Sequence, residues 1–327
     1  MDVWLMTDAG AKQYPTASLE TLLAGDEGFV WVDIPGCDDA ATDVLAKTFG
    51  FHPLAVRDCV ERNRLSKLHT YDDHLFIVLH APERGERGHV HYIELDQFIG
   101  PRYLVTVHGP VNPVVDPVVT LRETDSVLAR VKAGRLCPRS PFELSHAIVS
   151  TLTRGQEEFV ERLTGEVWRL EQWVTAGHVG DPERQLDELF QARHGLLAVR
   201  TMAALSREVY GRLATLGHLV PPAAGPLTDD LADQFDWIRN LADSQREYLQ
   251  GVIEFYRTRT ETKMTIAAER FAVIAAITLP ITALSSVLGM NLIVNDHTQA
   301  LQLVIVLAVM VAMSGTLLYW ARRRGWW

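Results

Sequence analysis

The first third of the chain alternates short apolar runs with polar breaks. FVWVDI (29–34), HLFIVLHA (74–81), HVHYIELDQFIG (89–100) and RYLVTVHG (102–109) are rich in β-branched and aromatic residues and bounded by Gly, Pro and charged turns, which predicts strands. DDAATDVLAKTFG (38–50) and HPLAVRDCV (52–60) predict helices, and GERG (85–88) a hairpin turn. Residues 1–140 therefore read as a compact α/β domain with a small sheet. From Ser140 the pattern becomes helical. Ser140 and Pro141 suit an N-cap and a first turn, that helix ends near Gly177, and a second runs from Asp181–Pro182 to about Gly217. The two predict an antiparallel hairpin over 141–226, closed by the breaker LVPPAAGP (219–226).

Beyond Pro226 no proline occurs until Pro280, so Asp229 to Leu288 can form one helix about 90 Å long. Leu231, Phe235, Ile238, Ala242, Gln245, Leu249, Val252 and Tyr256 recur at alternating steps of four and three. Such a heptad-like stripe suits a stalk, over 227–265, packing against copies of itself or against the hairpin. Phe271 to Leu288 then contains no charged residue, and its length as a helix, roughly 27 Å, is close to the hydrocarbon thickness of a bilayer. Leu301 to Trp320 repeats the pattern, with Gln302 as its one strongly polar member. Two membrane spans are predicted, 266–289 and 301–321, joined by an external loop at 290–300 and followed by a basic tail, 322–327. Arg257, Arg259, Lys263 and Arg270 precede the first span, Arg322, Arg323 and Arg324 follow the second, and the connection has no Lys or Arg. Both termini should then be cytoplasmic, in the inner or plasma membrane of the cell, with Trp320, Trp326 and Trp327 as an anchor at the inner face of the lipid bilayer.

Charge narrows the class. A net charge of −10 and a pI of about 5.6 exclude bulk nucleic-acid binding, which needs basic surface, and are compatible with attracting cations. Cys37, Cys59 and Cys137 form no CxxC pair, as expected of reduced thiols. MDVWLMTDAG lacks a basic start and an apolar run, so no cleavable signal peptide is expected. GxxxxGK[ST], GxSxG, HExxH and GxGxxG are all missing, and no enzyme is predicted.

In the first span Thr265, Ala268, Ala272, Ala275, Leu279, Thr282, Ser286 and Gly289 share one face, mostly small or hydroxylated. A pore wall built by symmetric repetition and plain helix–helix packing both select such residues. The stripe ends in Gly289-Met290-Asn291. This GMN lies at the outer end of the first of two C-terminal spans, nine residues after Pro280, which opens a PxT motif with Thr282. With YRTRT (256–260) in a charged stalk, the end ARRRGWW, and YDDHLFIVLH (71–80), the chain resembles the CorA family of magnesium channels over nearly its whole length. The resemblance implies an α+β membrane protein: an N-terminal cytoplasmic α/β sandwich domain, a helical hairpin, a very long stalk helix continuing into the first span, then the second span, assembled as a homopentameric funnel. It implies a pore lined by Thr265, Ala268, Phe271, Ala272, Ala275, Leu279, Thr282 and Ser286, and a selectivity filter of Gly289, Met290 and Asn291. Mg²⁺ sheds water reluctantly, so rings of Asn291 side-chain and Gly289 backbone carbonyls would accept hydrogen bonds from a hydrated ion without stripping it. Met290 reads as a packing anchor, and Gly289 as the residue that lets the chain turn where the helix ends. Three positions depart from the family pattern. Leu288 replaces an aromatic residue, Thr265 an Asn, and Ala268 a bulky gate residue, while Phe271 and Leu279 stay bulky.

The resemblance further implies inhibition by cytoplasmic Mg²⁺ held between subunits by carboxylates. Asp229, Asp230 and Asp233 are the candidates, with Asp230 at about the family's spacing from the filter; acids in a helix's first turn also suit its macrodipole. Asp72 and Asp73 are candidate partners from the α/β domain. In the loop, Asp296 could form a ring that concentrates cations at the entrance, or be a solvated carboxylate. His89 and His91, two apart on a strand, could hold Zn²⁺, with no third ligand in view; His69, His74 and His80 read as ordinary surface or sheet residues. The leading expectation is passive, Mg²⁺-gated flow of Mg²⁺, with Co²⁺ and Ni²⁺ also passing. The alternatives are a Zn²⁺ transporter of the same superfamily (the ZntB branch), which the retained Met290 disfavours, and a non-conducting, membrane-anchored metal sensor, to which Thr265 gives weight.

Overall fold

In the computed structural model, which describes residues 1–110, 112–176, 182–217, 219–292 and 300–323, the strand-like runs join one seven-stranded sheet. In chain order the elements are β1 (Asp2–Thr7), β2 (Gly10–Tyr14), α1 (Leu19–Ala24), β3 (Phe29–Ile34), α2 (Asp39–Asp43), α3 (Pro53–Val60), β4 (Lys67–Thr70), β5 (Leu75–Arg84), β6 (Val90–Ile99), β7 (Tyr103–Val107), α4 (Pro117–Thr120) and α5 (Arg122–Lys132). Four long helices follow: α6 (Pro141–Ala176), α7 (Pro182–Leu213), α8 (Gly225–Leu292) and α9 (Ala300–Arg323). The chain divides into two units, Met1–Gly251 and Val252–Trp327.

The strand order is β2-β1-β3-β7-β6-β5-β4, antiparallel throughout except for the parallel pair β3–β7. All six residues of β3 are buried, as a central strand covered on both faces requires. On one face Val30, Val32, Ile34, Phe98, Val105 and Val107 pack with Leu19, Leu45, Val56 and Cys59 from the α1–α3 side. The other face meets the long helices: Ser145 on α6 donates to Gln97 Oε1 at 2.6 Å, and Gln156 Nε2 donates to the His80 carbonyl at 2.9 Å. The sheet is larger than the small one expected, because β1, β2 and β4 join it. The hairpin at GERG closes as expected. Its tip needs Gly88, whose φ is +75° and where a Cβ would stand 2.4 Å from Gln191 Cγ on α7.

The start of α6 is fixed by reciprocal caps: Glu143 N donates to Ser140 Oγ at 3.2 Å, and Glu143 Oε2 accepts from Arg139 N at 2.8 Å. Up to Gly251, α8 packs on the α6–α7 hairpin. Leu231, Phe235, Ile238, Ala242 and Leu249 are all buried, and the Phe235 ring stacks on Tyr210 of α7 at 5.7 Å. Arg200–Asp243 (2.6 Å) and Arg207–Asp236 (2.8 Å) tie α8 to α7, while Trp237 Nε1 donates to Glu157 on α6 at 3.2 Å. Of the two roles open to the heptad-like stripe, the hairpin therefore takes this stretch.

Phe235→Ala should destabilise the unit by about 3–5 kcal/mol, because a fully buried ring leaves a cavity. Thermal melting of the full chain in detergent should show a drop on the order of 10 °C, whereas Glu247→Ala, at an exposed site on the same helix, should stay within about 0.5 kcal/mol.

Candidate functional site

The second unit holds the two apolar helices. Of the residues in the apolar window of either helix, 6% are buried. Helices this long and apolar, with Phe271, Leu279, Leu301 and Val311 each about two-thirds exposed or more, are not the covered core of a water-soluble protein; such a surface needs lipid or another chain. Each helix has one less exposed line. On α8 it runs through Val273, Ile277, Ile281 and Leu284, and on α9 through Val306, Met310, Met313, Leu317 and Ala321. At 100° per residue, the stripe from Thr265 to Ser286 lies on roughly the opposite side of α8 from its Val273 line. Thr265, Ala268, Ala272, Ala275, Leu279, Thr282 and Ser286 are all exposed, as is Phe271. The small-residue face is thus left open within the chain. Thr265 and Thr282 donate their hydroxyls to the carbonyls of Glu261 and Thr278 four residues back, at 3.0 and 2.8 Å. Pro280 lies inside α8 and removes one ladder donor from it.

Gly289-Met290-Asn291 occupies the final turn of α8, which runs on to Leu292. This corrects two expectations. The helix does not end at Gly289, so glycine is not used there for a turn, and the connection begins after Leu292 instead of at 290. The side chains of Met290 and Asn291, and Asp296, lie outside the described residues.

Asp229, Asp230 and Asp233 are exposed. Because α8 begins at Gly225, there is no acid in its first turn, so the macrodipole, which acts within that turn, does not account for them. Asp230 Oδ2 lies 2.7 Å from His146 Nε2 of α6 and accepts from Gln234 Nε2 at 2.7 Å. Asp72 and Asp73 are exposed at the β4–β5 turn, where Asp73 Oδ1 meets His74 Nδ1 at 2.6 Å. They line a cavity of about 470 Å³ with Glu143 and the 219–224 segment, and the Asp229–Asp233 group does not line it. Within one chain the two carboxylate groups are not brought together. Among the described residues no three His, Cys, Asp or Glu side chains are arranged to hold a metal. The rings of His89 and His91 do meet, with centroids 4.7 Å apart, but His89 precedes β6 and no third ligand among the described residues joins them.

The sequence pattern of the family described as "CorA-like Mg2+ transporter protein" matches residues 26–323. The chain belongs to the CorA family. It is a divalent metal ion transporter of that family, not an enzyme. It is 25% identical to the "Putative metal ion transporter YfjQ" of Bacillus subtilis, over 94% of this chain and 93% of that protein. It is 22% identical to the "Cobalt/magnesium transport protein CorA" of Thermotoga maritima, over 96% of this chain and 89% of that one. Its fold is that of the CorA magnesium transporter from Methanocaldococcus jannaschii, with a TM-score of 0.79 at 18% identity, covering 100% of this chain and 98% of that one.

Sequence reasoning missed the buried polar groups of this CorA-family sheet. On the α5 side, Asp33 Oδ1 accepts from Thr106 Oγ1 at 2.5 Å and from His108 Nε2 at 2.9 Å, and all three residues are buried. Burial, the largest single influence, would push the His108 imidazole down, but the Asp33 carboxylate with Glu123 and the Thr120 backbone together hold it above its ordinary value. On the α3 side, Glu94 and Asp96 of β6 are buried, and so is His80 of β5. Only the seven-strand width and the helices on both faces would have revealed them, since a strand covered on one side places alternate residues in water.

The His108–Asp33 pair gives a pH dependence. A histidine raised on folding contributes stability that is complete below its unfolded value of about 6.5 and lost as pH rises through the folded one. This pair's contribution to the thermal stability of the wild type should fall above pH 6.5, with a slope of at most about 1.4 kcal/mol per pH unit; in Asp33→Asn this component should be missing.

Proposed function

We propose that five copies of this chain form a channel that passes Mg²⁺ into the cell down its electrochemical gradient and closes as cytoplasmic Mg²⁺ rises. The observation that carries the reading is the open face of α8, small and hydroxylated, which lies opposite that helix's own less exposed Val273 line and leads to Gly289-Met290-Asn291 in the last turn. Repeated about an axis, it gives a wall of Thr265, Ala268, Phe271, Ala272, Ala275, Leu279, Thr282 and Ser286. A ring of Asn291 carbonyls at its outer end accepts hydrogen bonds from the water of a hydrated ion. Residues 1–265 and the tail 322–327 lie in the cytoplasm in this reading, on the strength of the flanking arginines. The connection after Leu292 faces outward and carries Asp296 to the entrance. The printed name of the Thermotoga relative supports extending the cargo to Co²⁺, and Ni²⁺ shares that chemistry.

Regulation is assigned to Asp230, with Asp229 and Asp233, meeting Asp72 and Asp73 across a subunit boundary. That the two groups do not line one cavity, and that neither alone supplies a closed shell among the described residues, supports a site completed by a second copy.

Influx into proteoliposomes under an imposed potential tests the reading. Mg²⁺ influx should fall by roughly tenfold or more in Asn291→Ala, since a whole ring of acceptors is lost. In Asp230→Ala, inhibition should need several-fold more Mg²⁺ on the cytoplasmic face. Flux of Zn²⁺ alone, driven by a pH gradient, would move the chain to a zinc transporter; no flux from an assembled oligomer would make it a sensor. Ala268→Met narrows the wall at one ring and should lower conductance; unchanged flux would rule out a gate there.

A further inference from the structure

A chain of hydrogen bonds runs from α7 to the sheet and ends on a carboxylate. Ser206 Oγ of α7 lies 3.1 Å from Ser66 Oγ, which lies 3.4 Å from His80 Nδ1 of β5. His80 Nε2 lies 3.1 Å from the carbonyl of Asn63. Asn63 then grips Glu94 of β6 at two points, its backbone N donating to Oε2 at 2.8 Å and its Nδ2 to Oε1 at 2.5 Å. Burial holds His80 down at about 4, so near neutral pH it is an uncharged ring. Because a carbonyl can only accept, Nε2 carries its proton and Nδ1 accepts from Ser66. The links from α7 to the Asn63 carbonyl therefore all donate in the same direction and polarise one another, and Asn63 in turn donates to Glu94 through its backbone and side-chain amides. Ser66, His80, Glu94 and Ser206 are all at least nine-tenths buried.

Beside the end of this chain lies Asp96, fully buried between Glu94 and the Cys59 thiol. Two residues from Glu94 on the same strand, it lies on the same face, and two such carboxyls in a dry interior do not both ionise.

We propose that Glu94 and Asp96 form a proton-operated joint between the sheet and the helical hairpin. With Glu94 ionised and Asp96 protonated, the two-point grip holds the 61–66 segment, and through Ser66 it holds α7. A proton on Glu94 replaces one acceptor with a donor facing an N–H, and the grip opens. Burial pushes both carboxyls up, Glu94 to about 7 and Asp96 well above the ordinary carboxylate range. The other titratable and charged groups acting here are Asp58 and Cys59 on α3, Cys37 and Asp38 after β3, Lys67 on β4 and His80 on β5. Lys67 favours the ionised form of Glu94, and is itself held by Asp58 at 2.6 Å. The joint stands whatever ion the chain carries.

Hydrogen exchange of the full chain in detergent, corrected for intrinsic rates, tests it. In the wild type, protection of amides 61–66 should fall about tenfold between pH 8 and pH 6, while the β1–β2 hairpin stays unchanged. Glu94→Gln should show the low protection at both pH values. Equal protection at the two pH values in the wild type would overturn the proposal, as would a Glu94→Gln chain that still titrates like the wild type. If Glu94→Gln does not fold, Ser206→Ala serves: it cuts the far end, so protection at pH 8 should fall while the pH dependence at Asn63 persists. Wild-type protection in that variant would equally overturn the joint.

Discussion

A helix carries its own backbone hydrogen bonds, and α8 depends on that property from Gly225 to Leu292. In water the bonds need an apolar face buried elsewhere to make a long helix stable. In lipid they are the reason a helix can exist at all, since no solvent is present to replace them. One element meets both demands by changing its surface. Its early turns bury Leu231, Phe235 and Ile238 and present aspartates outward; its late turns present Phe271, Ile274 and Leu279 with almost nothing covered.

The sheet side supplies the footing for the first of these regimes. β3 is buried on both faces, and the long helices α6 and α7 can lie on the sheet because Ser145, Gln156 and Ser206 each find a polar partner there. Such contacts cost little when complete and much when broken, because a buried donor or acceptor left alone loses its hydration without return. The polar groups in this interface therefore fix the register of helices on sheet, while the apolar cluster under α1–α3 supplies most of the burial.

How legible this was from sequence depends on the period involved. The strands β3, β5, β6 and β7 showed as compact β-branched runs, and the hairpin helices and long helix showed through Ser140, Pro182 and the proline-free stretch to Pro280. β1 escaped because DVWLMT has four consecutive buried residues and no alternation, and β4 because four residues carry too little pattern. The stripe on α8 could be read, but not what covered it; only the placement of α6 and α7 decided that. Gly289 reads as a stop signal by its chemistry, yet helical bonding continues through it to Leu292. Glu94 and His80 were invisible as a linked pair, because they are joined through Asn63, and no periodicity relates a loop residue to two strands.

The hairpin's cover over the α8 stripe also changes how copies of the chain can find one another. The most apolar line on the early part of that helix is already spent inside the chain, so no coiled-coil seam is on offer there to drive association from dilute solution. What remains is scattered apolar side chains such as Trp168, Phe190 and Trp237 among polar ones on that unit, and the uncovered apolar residues on the other. Confinement to a bilayer suits such weak contacts. It holds molecules in a common plane and orientation, removing in advance much of the translational and rotational freedom that association otherwise costs. Assembly would then be a property of the chain and its membrane together.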